Sequence, residues 1–144
     1  MIAACRNTCD IHSSIDHFNH SLGVLKIFTY TKRQFLTDVF AEALRIAGQG
    51  NKVLIAQLMK GGINQGQDHP SYLLENLHWI RCNSITCSSH KEINEPQRAA
   101  TLELWEYVKS AILNRTYELV VLDELGLSID LEIIQEVEVL SLVM

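Results

Sequence analysis

A chain of 144 residues with 47% apolar side chains is long enough for one domain with a buried core, and its composition is that of an ordinary globular protein. Its 12 Lys and Arg against 17 Asp and Glu leave a formal net charge of -5, with the basic residues scattered, which excludes the basic stripe that binding to a nucleic-acid backbone requires. No apolar run approaches the ~20 residues that span a bilayer, and the start has no charged head followed by an apolar stretch, so no membrane partner is expected and the expected compartment is cytoplasmic.

Residues 1–23 are polar and patternless, rich in Ser, His and Asn, and read as a disordered extension ahead of a domain over 24–144. Cys5 and Cys9 lie there with His12, His17 and His20, but their spacing fits no usual zinc module, so no metal is expected. Leu25 to Tyr30 reads as the first strand. Leu36, Val39, Phe40, Ala43, Leu44 and Ala47 then recur at helical spacing, with Asp38, Glu42 and Arg45 opposite, and Gly48 and Gly50 stop that helix. Val53 to Leu58 is apolar throughout, the pattern of a parallel strand covered on both faces.

Gly61 to Pro70 is a turn-rich loop, and Ser71 to Glu75 reads as one short helical turn. Leu77 to Cys82 alternates and predicts a third strand near a sheet edge. Asn94 and Gln97 form a capping-box pattern with Pro96 in the first turn, opening a helix to about Arg115 with Leu102, Trp105, Val108 and Ile112 inward. Tyr117 to Leu122 is the most apolar strand and delivers Asp123 and Glu124 at its carboxyl end. Asp130 then caps a last helix carrying Ile133, Ile134, Val137 and Leu140 inward. The alternation predicts an α/β fold of three layers around a parallel sheet of four main strands.

Three blocks carry a resemblance: Ile27 to Thr29, Ala43 through Gly50 and Val53 to Gly61, and Leu119 to Leu125. In that order and spacing they resemble the ATP:corrinoid adenosyltransferase family, which moves the 5′-deoxyadenosyl group of ATP onto cobalt(I) of a corrinoid. The resemblance covers roughly Val24 to Leu142. It implies a P-loop NTPase-like (RecA-like) domain, ATP with Mg2+, a corrinoid substrate and a possible homodimer. It also implies a further parallel strand after Met144, so the domain reads as truncated at its C-terminus.

Laid on the family's Gly-Asn-Gly-Lys-Gly-Lys-Thr-Thr loop, the glycine positions hold Tyr30, Lys32 and Gln34. The phosphate-binding lysine falls on Phe35, the metal-binding threonine on Leu36, and only Thr37 matches. Such a loop works by turning successive backbone N–H groups onto an anion, which needs glycine. The nucleotide-binding candidates are therefore Thr29, Tyr30, Thr31, Lys32, Arg33, Gln34 and Thr37 of a degenerate Walker A loop, with Lys32 and Arg33 as point charges and Phe35 and Leu36 filling the phosphate's space.

Gln57, Lys60 and Gly61 match the family's Gln-Phe-x-Lys-Gly and form a strand-end crevice, and Asp123 and Glu124 are the candidates for magnesium. No residue is singled out as catalytic. Arg45 matches too, although a surface pair with Glu42 is an equal reading. His69, His78 and His90 are isolated and complete no hydrolytic triad. Cys82 and Cys87 read as one buried thiol and one loop thiol. Two functions stay open: a corrinoid adenosyltransferase with an eroded phosphate loop, or a catalytically inactive pseudoenzyme whose scaffold binds or regulates.

Overall fold

The computed structural model describes residues 2–5, 24–27, 37–83 and 93–143. In chain order these form β1 (Ile2–Cys5), β2 (Val24–Ile27), α1 (Thr37–Gly48), β3 (Val53–Gln57), β4 (Ser71–Leu74), β5 (Leu77–Arg81), α2 (Glu95–Leu113), β6 (Leu119–Asp123), α3 (Leu125–Asp130) and α4 (Glu136–Val143). One six-stranded sheet runs β2-β1-β6-β3-β5-β4. Its centre is parallel: β3 lies between β6 and β5, with Val53 opposite Leu119 and Leu77, and Gln57 opposite Asp123 and Arg81.

The sheet is mixed rather than wholly parallel. β4 is antiparallel to β5, because the tight turn at Glu75 and Asn76 allows only a hairpin. The helical turn expected over Ser71 to Glu75 is thus an edge strand, and Leu77–Arg81 lies one strand inward of the edge. On the other side Ile2–Cys5, expected within a disordered extension, pairs antiparallel with both β6 and β2. The first expected strand is observed over Val24–Ile27, and β1 lies between it and β6.

Alternation of side chains across the central strands sends them into two cores. Val53, Ile55, Leu77, Leu119 and Val121 meet Val39, Ala43, Ile46 and Ala47 of α1, with Phe40, Leu44 and Trp79 packed at the margin. Leu54, Ala56, Ile80, Val120 and Leu122 point the other way, onto Ala100, Leu104, Trp105, Val108 and Ala111 of α2 and onto Leu125, Ile133, Ile134 and Val139. The three expected layers are present. Gly50 carries the turn out of α1 at a φ of 92°, a conformation cheap only for glycine.

α2 starts on the expected reciprocal cap: Asn94 Oδ1 accepts from the Gln97 amide at 2.9 Å and Gln97 Oε1 from the Asn94 amide at 3.2 Å. Trp105 and Val108 are buried, whereas Leu102 and Ile112 only flank the core. The C-terminal segment departs further from expectation. Asp130 ends α3 instead of capping a helix, Glu132 at φ 54° turns the chain, and α4 begins at Glu136. That break resets the helical phase, so Val139 is buried while Val137 and Leu140 are 77% and 46% exposed. Glu138 fixes the phase by accepting from Trp105 Nε1 at 2.9 Å and Lys109 Nζ at 3.3 Å.

At the amino end of the parallel strands, His78 Nδ1 lies 2.8 Å from the Tyr117 hydroxyl, which lies 3.1 Å from that of Tyr107. Burial, and secondarily the Lys52 ammonium, pushes the imidazole below its ordinary value of ~6.5. The folded state therefore binds this proton less readily than the unfolded state. The resulting stabilisation is complete above pH ~6.5 and is lost as pH falls through the depressed folded value. Urea unfolding from pH 8 to 5 is expected to show a smaller loss of stability for His78→Phe than for the unmodified chain. In the same assay at neutral pH, Leu104→Ala, which empties a fully buried site, is expected to cost about 3 kcal/mol, and Asn94→Ala about 1 kcal/mol.

Candidate functional site

The carboxyl ends of β5, β3 and β6 place Arg81, Gln57 and Asp123 side by side in one register row. All three continue the series that faces α1, following Trp79, Ile55 and Val121 by two positions. The first turn of α1 lies at this same end, since Phe40 packs its ring 5.4 Å from that of Trp79. A helix N-terminus and three parallel strand ends thus lie together, the usual location of the ligand crevice in open α/β sheets.

Gln57, 1% exposed, organises the row. Its Nε2 donates to Asp123 Oδ2 at 2.9 Å, and its Oε1 accepts from Trp79 Nε1 at 3.0 Å and from Arg81 Nε at 2.8 Å. Lys60, three residues past the end of β3, donates to the same Asp123 Oδ2 at 2.7 Å. The carboxylate is thus paired with a cation and an amide in a position only 3% exposed. An ion pair so placed exchanges hydration for charge-assisted hydrogen bonds of fixed direction.

The neighbouring loop is tied to the same strand. Arg81 N donates to the Gln65 carbonyl at 2.7 Å, and Gln65 Nε2 donates to the Trp79 carbonyl at 3.0 Å. Gly66 runs so close that a Cβ there would lie 3.3 Å from Asn83 Cβ. Beyond β6, Glu124 adopts a left-handed backbone, φ 64° and ψ 25°, and its carbonyl accepts from both the amide and the hydroxyl of Ser128 at 3.1 Å. A non-glycine residue in that region carries about 1–3 kcal/mol of local strain, here placed next to Asp123.

Of the residues expected at the site, Gln57, Lys60 and Asp123 are brought into direct contact, and Gly61 and Glu124 flank them. Thr37 is exposed at the start of α1. Thr29, Tyr30, Thr31, Lys32, Arg33, Gln34, Phe35 and Leu36 lie outside the described residues, as do Cys9, His12, His17, His20, Cys87 and His90. Arg45 makes the surface pair with Glu42, its Nη2 2.7 Å from Oε1. Cys82 is a buried thiol 3.6 Å from the Thr101 hydroxyl, pushed up by burial and so unreactive.

Trp79 and Arg81 were not among the expected site residues. Their only sequence signal is alternation, which puts residues 77, 79 and 81 on one face, and that signal does not say which face borders a crevice. Among the described residues, no three His, Cys, Asp or Glu side chains gather as a metal site made of protein alone, and no helix is long and apolar enough to cross a membrane.

The corrinoid adenosyltransferase of Escherichia coli K12 is 29% identical over 105 residues, covering 72% of this chain and 52% of that protein. The same figures hold for the corrinoid adenosyltransferase of Escherichia coli O6:H1. An uncharacterized protein of Nostoc sp. PCC 7120 is 27% identical over 147 residues, covering 87% of this chain and 38% of its own length. The chain thus spans about half or less of these curated relatives, and no solved structure matches it. Residues 22–144 match the family ATP:corrinoid adenosyltransferase BtuR/CobO/CobP, and the chain belongs to that family.

Proposed function

We propose that the chain carries a corrinoid adenosyltransferase-type site that keeps the acidic strand end and lacks the phosphate-loop nest, so that it engages nucleotide weakly and transfers the adenosyl group slowly. The observation that carries this reading is the Gln57–Asp123–Lys60 network at the carboxyl ends of parallel strands. These are the positions that match the family's strand-end blocks. Transfer to cobalt(I) forms a cobalt–carbon bond at C5′ as the C5′–oxygen bond breaks, and the bonding pair leaves with the triphosphate. A site for that reaction must therefore hold a polyphosphate whose charge grows as it departs.

Magnesium fits the donor set at this strand end. It takes one or two carboxylates from protein and the rest of its shell from phosphate and water, and Asp123 with the adjacent Glu124 supplies carboxylates of that kind. When bound, it would neutralise phosphate charge. Gln57 and Lys60 hold the Asp123 carboxylate in one orientation through the amide and ammonium contacts to its Oδ2. Lys60 would bring its ammonium to the phosphates from the same side.

A second reading, a binding or regulatory module without turnover, is favoured by one feature of the sequence: Tyr30, Lys32 and Gln34 stand where the family has glycines. Residues with a Cβ do not turn successive amides onto an anion as cheaply as glycine does.

Calorimetric titration with ATP and magnesium, with and without reduced corrinoid, together with an adenosylation assay, separates the two. We expect weak nucleotide binding and slow adenosylation that Asp123→Asn lowers further. Adenosylation no faster than the uncatalysed reaction would leave only the module reading. The double change Phe35→Lys with Leu36→Thr is expected to leave the rate within about twofold of the unmodified chain, because side chains alone do not rebuild a backbone nest. A large gain from those two changes would refute the account of the loop.

A further inference from the structure

Arg81 is the group in the crevice whose charge the network orients without neutralising it. Its Nε is fixed by Gln57 Oε1 at 2.8 Å and its backbone amide by the Gln65 carbonyl at 2.7 Å. The guanidinium carbon lies 6.0 Å from the centre of the Trp79 ring, which Gln57 holds through the indole N–H. Among the described residues no carboxylate lies within ion-pair distance of Arg81, whereas Lys60 has Asp123 at 2.7 Å. The residue is half-buried, and among the described residues its charge has no counter-ion.

An arginine pinned at Nε keeps both Nη groups for a planar, two-pronged contact. Its natural ligand is an oxyanion such as phosphate or carboxylate. Register places this fork beside Gln57, with β3 between it and Asp123, on the face where α1 begins.

We infer that Arg81 is an oxyanion-binding residue of this crevice, receiving the polyphosphate of the nucleotide through its guanidinium where a glycine-rich nest would otherwise do so. The inference rests on the functional reading above for the identity of the anion. It assigns Gln57 a double positioning role: one amide aims the carboxylate of Asp123 and, through its other end, the cation of Arg81. A side-chain fork needs no positive φ, so it is compatible with a loop that has lost its glycines.

Inorganic tripolyphosphate, titrated calorimetrically into the full chain, tests the residue without the rest of the nucleotide. The unmodified chain is expected to bind it, Arg81→Met to lose about tenfold or more in affinity, and Arg81→Lys to recover part of that as a point charge. Thermal melting of the three proteins checks that each is folded, and the binding of the unmodified chain should weaken as salt is raised. No measurable binding by the unmodified chain, or equal binding by a folded Arg81→Met, would overturn the inference.

ATP and reduced corrinoid titrated in parallel separate this inference from the functional reading. Tripolyphosphate binding that depends on Arg81, with no binding of ATP or corrinoid, would keep the residue assignment and sink the adenosyltransferase reading. Binding of ATP and corrinoid that ignores Arg81→Met would keep that reading and sink the assignment.

Discussion

A carboxylate buried at the end of a central strand is tolerable only if its charge is matched and its lone pairs are filled, since an unpaired buried charge costs several kcal/mol. Asp123 is such a group, and Gln57 and Lys60 are what make it tolerable. The requirement reaches outward. Gln57 must lie in register with Asp123, so β3 and β6 cannot slip without stranding the carboxylate. The carbonyl oxygen of the Gln57 side chain needs donors in turn, and it finds them in the Trp79 indole and the Arg81 guanidinium of β5. One amide thereby couples the parallel pairing of three strands to the chemistry at their ends.

Packing on the two faces supports that row differently. The α1 side is a smaller core that ends at Phe40 against Trp79, immediately beneath the polar row. The opposite side is larger and is closed by α2 with the segment from Leu125 to Val139, where Trp105 and Leu104 are fully enclosed. Polar side chains concentrate where the smaller core meets the strand ends. In the larger core the Thr101 hydroxyl pairs with the Leu58 and Gln97 carbonyls, and the Tyr117 hydroxyl with His78 and Tyr107 at the far end of the strands. Rigidity on one face and polarity on the other are what a site needs if its residues are to be held within a narrow geometry.

Much of this was legible beforehand. The unbroken apolar runs of Val53–Gln57 and Leu119–Asp123 announced strands buried on both faces, and Asn94 with Gln97 announced the start of α2. The acidic strand end and the Gln57 and Lys60 block were visible as candidates, though not their contact. What failed did so for identifiable reasons. Ser71–Leu74 has neither helical nor strand periodicity, with all four residues exposed, so only its pairing with β5 makes it a strand. Val137 and Leu140 fit a continuous helical stripe, but the turn at Glu132 shifts the phase and Val139 is buried in their place. Ile2–Cys5 is too short and too isolated in a polar stretch to be read as a strand without its neighbours β2 and β6.

The sequence by itself determined the layered α/β class, the membership of the family, and the residue types available at the strand ends, because hydrophobic period and local capping act over a few residues and survive in one dimension. Strand order, the antiparallel flanks of the sheet and the convergence of Arg81 and Trp79 on Gln57 were decided only in three dimensions. Those depend on which backbone donors and acceptors remain unpaired once the central strands have met, a property of the assembled sheet and of no single segment.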